Sequence, residues 1–460
     1  MVRMNIKLSF IRRATEISLR LSSFAVLVTS LCAVAFCSAI VAEEAVVKVT
    51  SAVPGLKAVP GLKAVPGYRG ANLSAVADAI NLPTLWSEST NVRWKTAIPG
   101  RGWSSPIVWG DTLWLTTATP DGLQQSLVGV DFESGATICN KLVFTNTSVQ
   151  PDFDKSNSYA SPTPTTDGER LYVHFGAYGT ACYDIQSDRS NPQKLWERRD
   201  LPCNHFRGAG SSPILFGDAL IFHMDGFDMH YAVALNKMTG KTLWKSDRKV
   251  DYGSDDGDVM KAFATPLIVT YNDRLQLISP TAKAVLSLNP LDGSEYWRVR
   301  YEEHSTAARP VFDGKLIFLN SGFSKGKLLA IDPSGTGDVT SSHVVWEASR
   351  GIGSKPSPTV YRDWVFTVED RGIVTCVAKS DGKIVWQKRV GGDFSASPLV
   401  ADGRLYCFDE QGNGYVFQAD DSETLLNTNV LQEGGKASPI ALGRRLVVRT
   451  MSQLYCLEHP

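Results

Sequence analysis

The sequence predicts an all-β chain whose strands close on themselves in a ring, and three recurring observations carry that expectation. First, a hydroxyl or polar residue followed by proline recurs in eight repeats, at Ser105-Pro106, Ser161-Pro162, Ser212-Pro213, Thr265-Pro266, Arg309-Pro310, Ser357-Pro358, Ser397-Pro398 and Ser438-Pro439. Second, each copy is followed by a turn and a short apolar run of period two, at 111–115, 170–173, 218–222, 274–278, 315–319, 364–368, 404–408 and 445–448. That alternation is the mark of a strand with unlike faces. Third, a further run ends in a turn such as Asn236-Lys237-Met238-Thr239-Gly240 or Lys379-Ser380-Asp381-Gly382 and leads into a fourth run centred on tryptophan. Glycine there supplies the positive φ of a tight hairpin.

Taken in order, the fourth runs align at Trp94, Cys139, Trp196, Trp244, Trp297, Trp346, Trp386 and Leu426. A unit of four antiparallel strands, roughly 46 residues long, cannot bury both faces alone and stacks radially on its neighbours. The expected fold is an eight-bladed β-propeller of four-stranded antiparallel blades. The proline is expected on the innermost strand, whose edge faces the channel and has no ladder bond to lose. Trp94 precedes the first proline, whereas the last repeat stops at Gln453-Leu454-Tyr455-Cys456-Leu457 without a fourth run. Residues 92–98 should therefore supply the outer strand of the blade begun at Pro439, closing the ring and leaving no open edge.

Ahead of the ring, residues 1–20 carry five basic side chains (Arg3, Lys7, Arg12, Arg13, Arg20) against Glu16, and 21–42 carry no charge. Residues 1–42 read as a signal peptide, cut near Ile40-Val41-Ala42, or as an uncleaved membrane anchor, with the body exported in either case. Lipid attachment at Cys37 is opposed by the bulky Phe36 before it. Residues 43–85 form a low-complexity linker and lead-in, in which Ala-Val-Pro-Gly-Leu-Lys occurs twice and Ala-Val-Pro-Gly-Tyr-Arg once over 52–69. Too few large apolar residues occur there to build a core, so the repeat reads as a tether. Beyond residue 42 the chain carries 42 basic and 46 acidic residues, a net of −4, which argues against a nucleic-acid partner.

The proline-headed inner strand, the Thr-Gly-Lys turn and the docking tryptophan, seen together from Asn236 to Trp244, resemble the repeat of pyrroloquinoline-quinone-like propellers. That superfamily holds quinoprotein dehydrogenases and BamB-type outer-membrane assembly scaffolds, and the resemblance covers about residues 86–460. Tyr68-Arg69-Gly70, Leu82-Pro83-Thr84-Leu85-Trp86-Ser87-Glu88 and Trp94-Lys95 with Trp103-Ser104-Ser105-Pro106 are similar to the opening of secreted propellers from planctomycete-type bacteria. The resemblance implies a fold more firmly than an activity. Quinoprotein dehydrogenases of the superfamily use a vicinal cysteine pair and a calcium ion held by acidic and amide side chains. This sequence has no Cys-Cys pair, so pyrroloquinoline quinone is not expected as a cofactor.

Candidate chemistry concentrates on one face. From docking position to next proline the spacing is 12 or 13 residues in most repeats, but 23 before Pro162, 17 before Pro213 and 22 before Pro266. The extra residues are polar: Asp152 and Asp154, then His205 and Arg207, then Asp251, Asp255, Asp256, Asp258 and Lys261. His174 and His223 end equivalent second strands nearby, followed by Asp225, Asp228 and His230. The four acids of 251–258 are either a solvated loop or a site for a hard cation, although their spacing matches no calcium loop. His174 and His223 are either satisfied by backbone or available to a ligand.

Arg309 replaces the hydroxyl residue that precedes proline in the other seven repeats. A charge placed there needs Glu302 or Glu303 beside it, or an anionic ligand in the channel. Cys182, Cys376 and Cys456 share one third-strand position with Gly129, Ala234, Ser287 and Ala330, so they read as small packed thiols.

The resulting expectation is a monomeric, non-catalytic binding or scaffold protein of the cell envelope, periplasmic or secreted. Its partner would be an envelope protein or a polar ligand such as a carbohydrate, bound at His205, Arg207, Asp225, Asp228, His230, Asp251, Asp255, Asp256, Asp258, Lys261 and Arg309. The alternatives are an enzyme with a metal or polar site on the enlarged-loop face, and a quinone-dependent dehydrogenase.

Overall fold

A computed structural model describes residues 64–150, 153, 154, 156–323 and 325–460; the expected leader, residues 43–63 and Asp152 lie outside them. The described strands form eight sheets, each holding the four antiparallel strands of the predicted blade; blade 1 gains Ala64–Val65 at its inner edge, and Gly337–Asp338 pairs parallel with the outer strand Glu295–Arg300 of blade 4. Blade 1 runs Ile107–Trp109, Thr112–Ala118, Gln124–Asp131 and Thr137–Thr145 from the channel outward. The inner strands of blades 2 to 8 are Thr165–Thr166, Ile214–Phe216, Leu267–Tyr271, Val311–Phe312, Thr359–Tyr361, Leu399–Ala401 and Ile440–Leu442. Blade 8 is completed by Val92–Ala97 paired antiparallel with Gln453–Leu457, Trp94 opposite Cys456. The N-terminal strand thus closes the ring as its orphan tryptophan required.

The proline lies immediately ahead of the inner strand instead of on it, and in blade 2 that proline is Pro164, preceded by Thr163, in place of the expected Ser161-Pro162. Its preceding residue has a defined task. The backbone N–H of Ser105 donates to Thr163 Oγ1, that of Thr163 to Ser212 Oγ, and that of Ser212 to Thr265 Oγ1. The series resumes with Arg309 N–H to Ser357 Oγ, Ser357 to Ser397 and Ser397 to Ser438. Hydroxyls therefore link successive blades around the channel, with Thr163 serving blade 2 where Ser161 was expected. The step from Thr265 to blade 5 has no such link, because a guanidinium cannot accept a hydrogen bond, and none joins Ser438 to Ser105, whose Oγ has no partner among the described residues.

Between the blades, tryptophan docks on the next hairpin. Trp94 Nε1 donates to Phe132 O, Trp196 to Lys237 O, Trp244 to Pro290 O, Trp346 to Lys379 O and Trp386 to Asp420 O. The turn glycine serves two needs here. Gly135 has φ of 76°, and a Cβ on it would come within 2.6 Å of the Trp94 ring. Within a blade, each docking tryptophan lies opposite the small third-strand residue: Cys182, Ala234, Ser287, Ala330 and Cys376 face Trp196, Trp244, Trp297, Trp346 and Trp386.

Blade 7 corrects the alignment. Val416 pairs with Asn427, and Leu426 occupies the bulge, the place of Leu243 in blade 3 and Val385 in blade 6. A larger third-strand residue there accompanies a smaller fourth-strand one, so the pair conserves volume.

The third hexapeptide is structured. Ala64–Val65 pairs with the inner strand Ile107–Trp109, and Pro66 O accepts from Thr166 N–H. The chain then passes to blade 5, where Leu73 O accepts from Phe312 N–H, and on to Val360, Val400 and Gly443 of blades 6 to 8. It is held both by backbone groups on the unpaired inner edges and by its few apolar side chains, Val65, Leu73, Leu82 and Trp86, which are buried in the blade cores.

Candidate functional site

The enlarged loops lie against one another and against the connections between second and third strands. Asn157 Nδ2 donates to Arg207 O, Phe227 N–H to Asn204 O, Ala262 N–H to Asp225 O and Phe263 N–H to Thr306 O. The polar residues singled out in the sequence fall into separate groups on this face.

The first group is an ion-pair chain across three loops. Arg207 Nη1 lies 2.7 Å from Asp154 Oδ2, and its Nε lies 3.5 Å from Asp258 Oδ1. Asp258 also pairs with Lys261, whose ammonium is buried and donates to Asp258 O at 2.6 Å. Burial pushes Lys261 below the usual lysine range against the pull of Asp258. The cations of Arg207 and Lys261 stand 5.0 and 5.6 Å from the Phe206 ring centre. Asp256 caps the short helix Gly257–Val259 by accepting from Asp258 N–H. Its neighbours Asp251 and Asp255 are exposed, with Asp251 accepting from Gly253 N–H within its own turn.

The second group is buried. Asp225 and Arg248, both about 1 % exposed in their side chains, form a two-pronged pair through Nε and Nη2. Arg248 Nη1 donates to Ser279 Oγ, which lies 2.8 Å from His223 Nε2. His223 Nδ1 lies 2.9 Å from Ala264 O, a pure acceptor, so Nδ1 carries the proton and Ser279 donates to Nε2. Burial first and Arg248 second hold His223 well below the ordinary histidine pKa. Arg248 and Ser279 were not legible as partners, because they come from the strand ends of two blades and carry no motif.

A third group is formed by histidines. His174 Nδ1 meets Thr180 Oγ1 at 2.8 Å, and His205 Nδ1 meets Cys203 Sγ at 3.6 Å. The Nε2 atoms of both rings are buried without a hydrogen-bond partner among the described residues. Burial lowers His174 to about 3, with His205 adding to the effect, and burial lowers His205 to about 4 against the pull of Asp228. Asp228 itself accepts from Asn204 N–H at 2.7 Å. His230 stacks near Tyr252, ring centres 5.1 Å apart, and burial lowers its pKa too. Among the described residues, no group of three His, Cys, Asp or Glu side chains is placed to hold a metal ion.

The remaining candidate, Arg309, stands apart in the central channel. It is 5 % exposed, and neither Glu302 nor Glu303 pairs with it. It lines a cavity of about 100 Å³ together with Tyr68 and the inner strands of blades 3 and 4. None of the ten enlarged-loop candidates lines this cavity or its neighbour of about 230 Å³ beside blades 7 and 8. Burial disfavours the thiolate, pushing Cys139 up to about 11, and Cys182, Cys376 and Cys456 up to about 12.

Comparison with known proteins agrees with the repeat. The family described as outer membrane protein assembly factor BamB matches residues 48–269, 228–340 and 336–453. The outer membrane protein assembly factor BamB of Yersinia pestis is 23% identical over 193 residues, 39% of this chain and 47% of that protein. The chain spans about half the length of the curated BamB relatives it matches. Among solved structures, BamB from Moraxella catarrhalis superposes with a TM-score of 0.56 at 12% identity, covering 79% of this chain and 99% of that one. The quinohemoprotein alcohol dehydrogenase of Comamonas testosteroni superposes at 0.63 with 9% identity, covering 86% and 81%, a likeness of fold alone. With the family match running through nearly the whole ring, the chain belongs to the outer membrane protein assembly factor BamB family.

Proposed function

We propose that this protein is an exported, non-catalytic binding or scaffold component of the cell envelope, and that it contacts an assembly partner through the enlarged-loop face of blades 2 to 4. The observation that carries the reading is the family match over residues 48–453. The chemistry of the face supports it. Arg207, Asp258 and Lys261 are engaged with one another, and Asp225 is consumed by Arg248, so these charges stiffen loops. Asp251 and Asp255 stay exposed for a partner. Loops longer than their siblings are not required for ring closure, and recognition is the usual use of such additions.

The test is site-specific photo-crosslinking in intact envelopes from position 255 on this face and from position 292 in a hairpin turn at the other end of blade 4. A discrete protein adduct from 255 and none from 292 is expected. No adduct from 255, or equal adducts from both, overturns the reading.

Quinone-dependent oxidation is the second reading, favoured by the fold shared with the quinohemoprotein alcohol dehydrogenase. The described residues do not fit the group: five of the described cysteines stand singly in separate strands and Cys203 in a loop, and no group of three acidic, histidine or cysteine side chains among them is placed to hold a metal ion. Dye reduction after reconstitution with the quinone and calcium decides between the two readings.

A further inference from the structure

Arg309 and Arg69 lie near each other at the central channel, and neither forms an ion pair among the described residues. Arg309 stands where six other blades present a hydroxyl acceptor to the preceding blade, so the step into blade 5 lacks this hydrogen bond, as does the step from Ser438 to Ser105, whose Oγ has no partner among the described residues. Its Nε and Nη1 are buried without a partner, and its side chain makes no hydrogen bond or ion pair with the described residues. Arg69, the nearby cation, arrives from the lead-in segment with φ of 61°, a left-handed conformation that costs a non-glycine residue free energy. It is fixed there by hydrogen bonds to Ser357 O, Thr359 Oγ1 and Pro398 O, all uncharged acceptors. Tyr68 donates to or accepts from Ser397 Oγ at 3.1 Å and shares the cavity lining with Arg309.

Burial brings each guanidinium down to about 10, and for Arg309 the charge of Arg69 lowers it further. Burial raises Tyr68, but the charge of Arg69 and three serine hydroxyls outweigh it and leave the phenol easier to ionise. An unpaired buried cation is costly, and a guanidinium fork matches the geometry of an oxyanion. A cavity of about 100 Å³ has room for a small anion.

We propose that the channel between the lead-in segment and the inner strands of blades 3 to 5 is a binding site for one small oxyanion, phosphate-like or carboxylate, held by Arg309 with Tyr68 in the same lining and with the charge of Arg69, which lines the neighbouring cavity, adding at longer range. Bound there, the anion answers the interrupted step into blade 5 and locks the lead-in segment onto the blades. It therefore acts as a structural ligand of the channel, remote from the enlarged loops.

The test is isothermal titration of the whole exported chain, dialysed into a chloride buffer of constant ionic strength, with inorganic phosphate, sulfate and malonate in turn. Saturable binding of at least one probe, one per chain, is expected, and which probe binds separates the phosphate-like from the carboxylate class. Arg309→Gln should weaken that binding at least tenfold, and Arg309→Lys, which keeps charge but not the fork, should weaken it less. If Arg309→Gln does not fold, crystals of the wild-type chain soaked in tungstate and malonate give the answer. Tungstate anomalous signal or malonate density at Arg309 supports the site, and neither one there overturns it. No saturable binding of any probe, or unchanged binding by a folded Arg309→Gln protein, also overturns it.

Discussion

Replacing Trp94 with alanine tests the closure of the ring at its seam. Trp94 is 8 % exposed, its indole N–H reaches Phe132 O at 3.2 Å in blade 1, and its strand is the outer edge of blade 8. One side chain therefore joins the first strand of the ring, its last blade and its first. Deleting a buried tryptophan costs about 3 to 5 kcal/mol, including the cavity left under Gly135. With an unfolding entropy of about 2.1 cal/mol/K per residue over roughly 400 residues, a loss of ~4 kcal/mol lowers Tm by about 5 °C. Trp244→Ala is the control. Trp244 is equally buried, donates to Pro290 O at 3.0 Å and packs on Gly293, but its blade is continuous in sequence. Calorimetry should give similar Tm losses for both variants. Hydrogen exchange should separate them, rising in 92–97 and 453–457 for Trp94→Ala alone, because only there can a strand leave without unravelling a blade. A Tm within about 1 °C of wild type, or exchange in 92–97 no faster than in Trp244→Ala, would refute the reasoning.

Three further outcomes are expected. Asp225→Ala leaves Arg248 buried and unpaired and should cost about 3 to 5 kcal/mol in urea unfolding, while the double variant Asp225→Leu/Arg248→Met recovers more than half of it; equal losses in single and double variants would mean that the pair is not the cause. Because burial holds His174 near 3 and His205 near 4 in the folded chain, the unfolded state takes up protons first as pH falls below about 6.5. Stability should be full above that pH and decline toward about pH 4, by on the order of 3 kcal/mol per histidine, and a His174→Asn/His205→Asn protein should show a flatter slope between about pH 5 and 6.5. Reconstitution with pyrroloquinoline quinone and calcium should give no substrate-dependent dye reduction with alcohols or sugars, and turnover above background would reinstate the dehydrogenase reading.

Period-two runs, glycine turns and the tryptophan spacing determined the blade, its number and the closing strand, because each is a local pattern repeated eight times. The orphan Trp94 and the truncated last repeat told of the seam for the same reason: a repeat makes a missing strand visible. The enlarged loops were legible as departures in spacing, and their polar residues could be named.

Which of those residues meet was decided only in the ring. Arg207 finds Asp154 from 53 positions away, and Arg248 finds Ser279 from the next blade, because pairing between blades depends on how sheets pack and not on order along the chain. The bulge that puts Asn427 in place of Leu426 is a matter of hydrogen-bond register, which hydropathy does not encode. The lead-in segment illustrates the point most fully: its composition describes a tether, yet Tyr68 lies against Ser397 from 329 residues away. Inner-strand edges capture it through backbone groups that every residue carries, and such groups leave no trace in a sequence until the ring exists to present them.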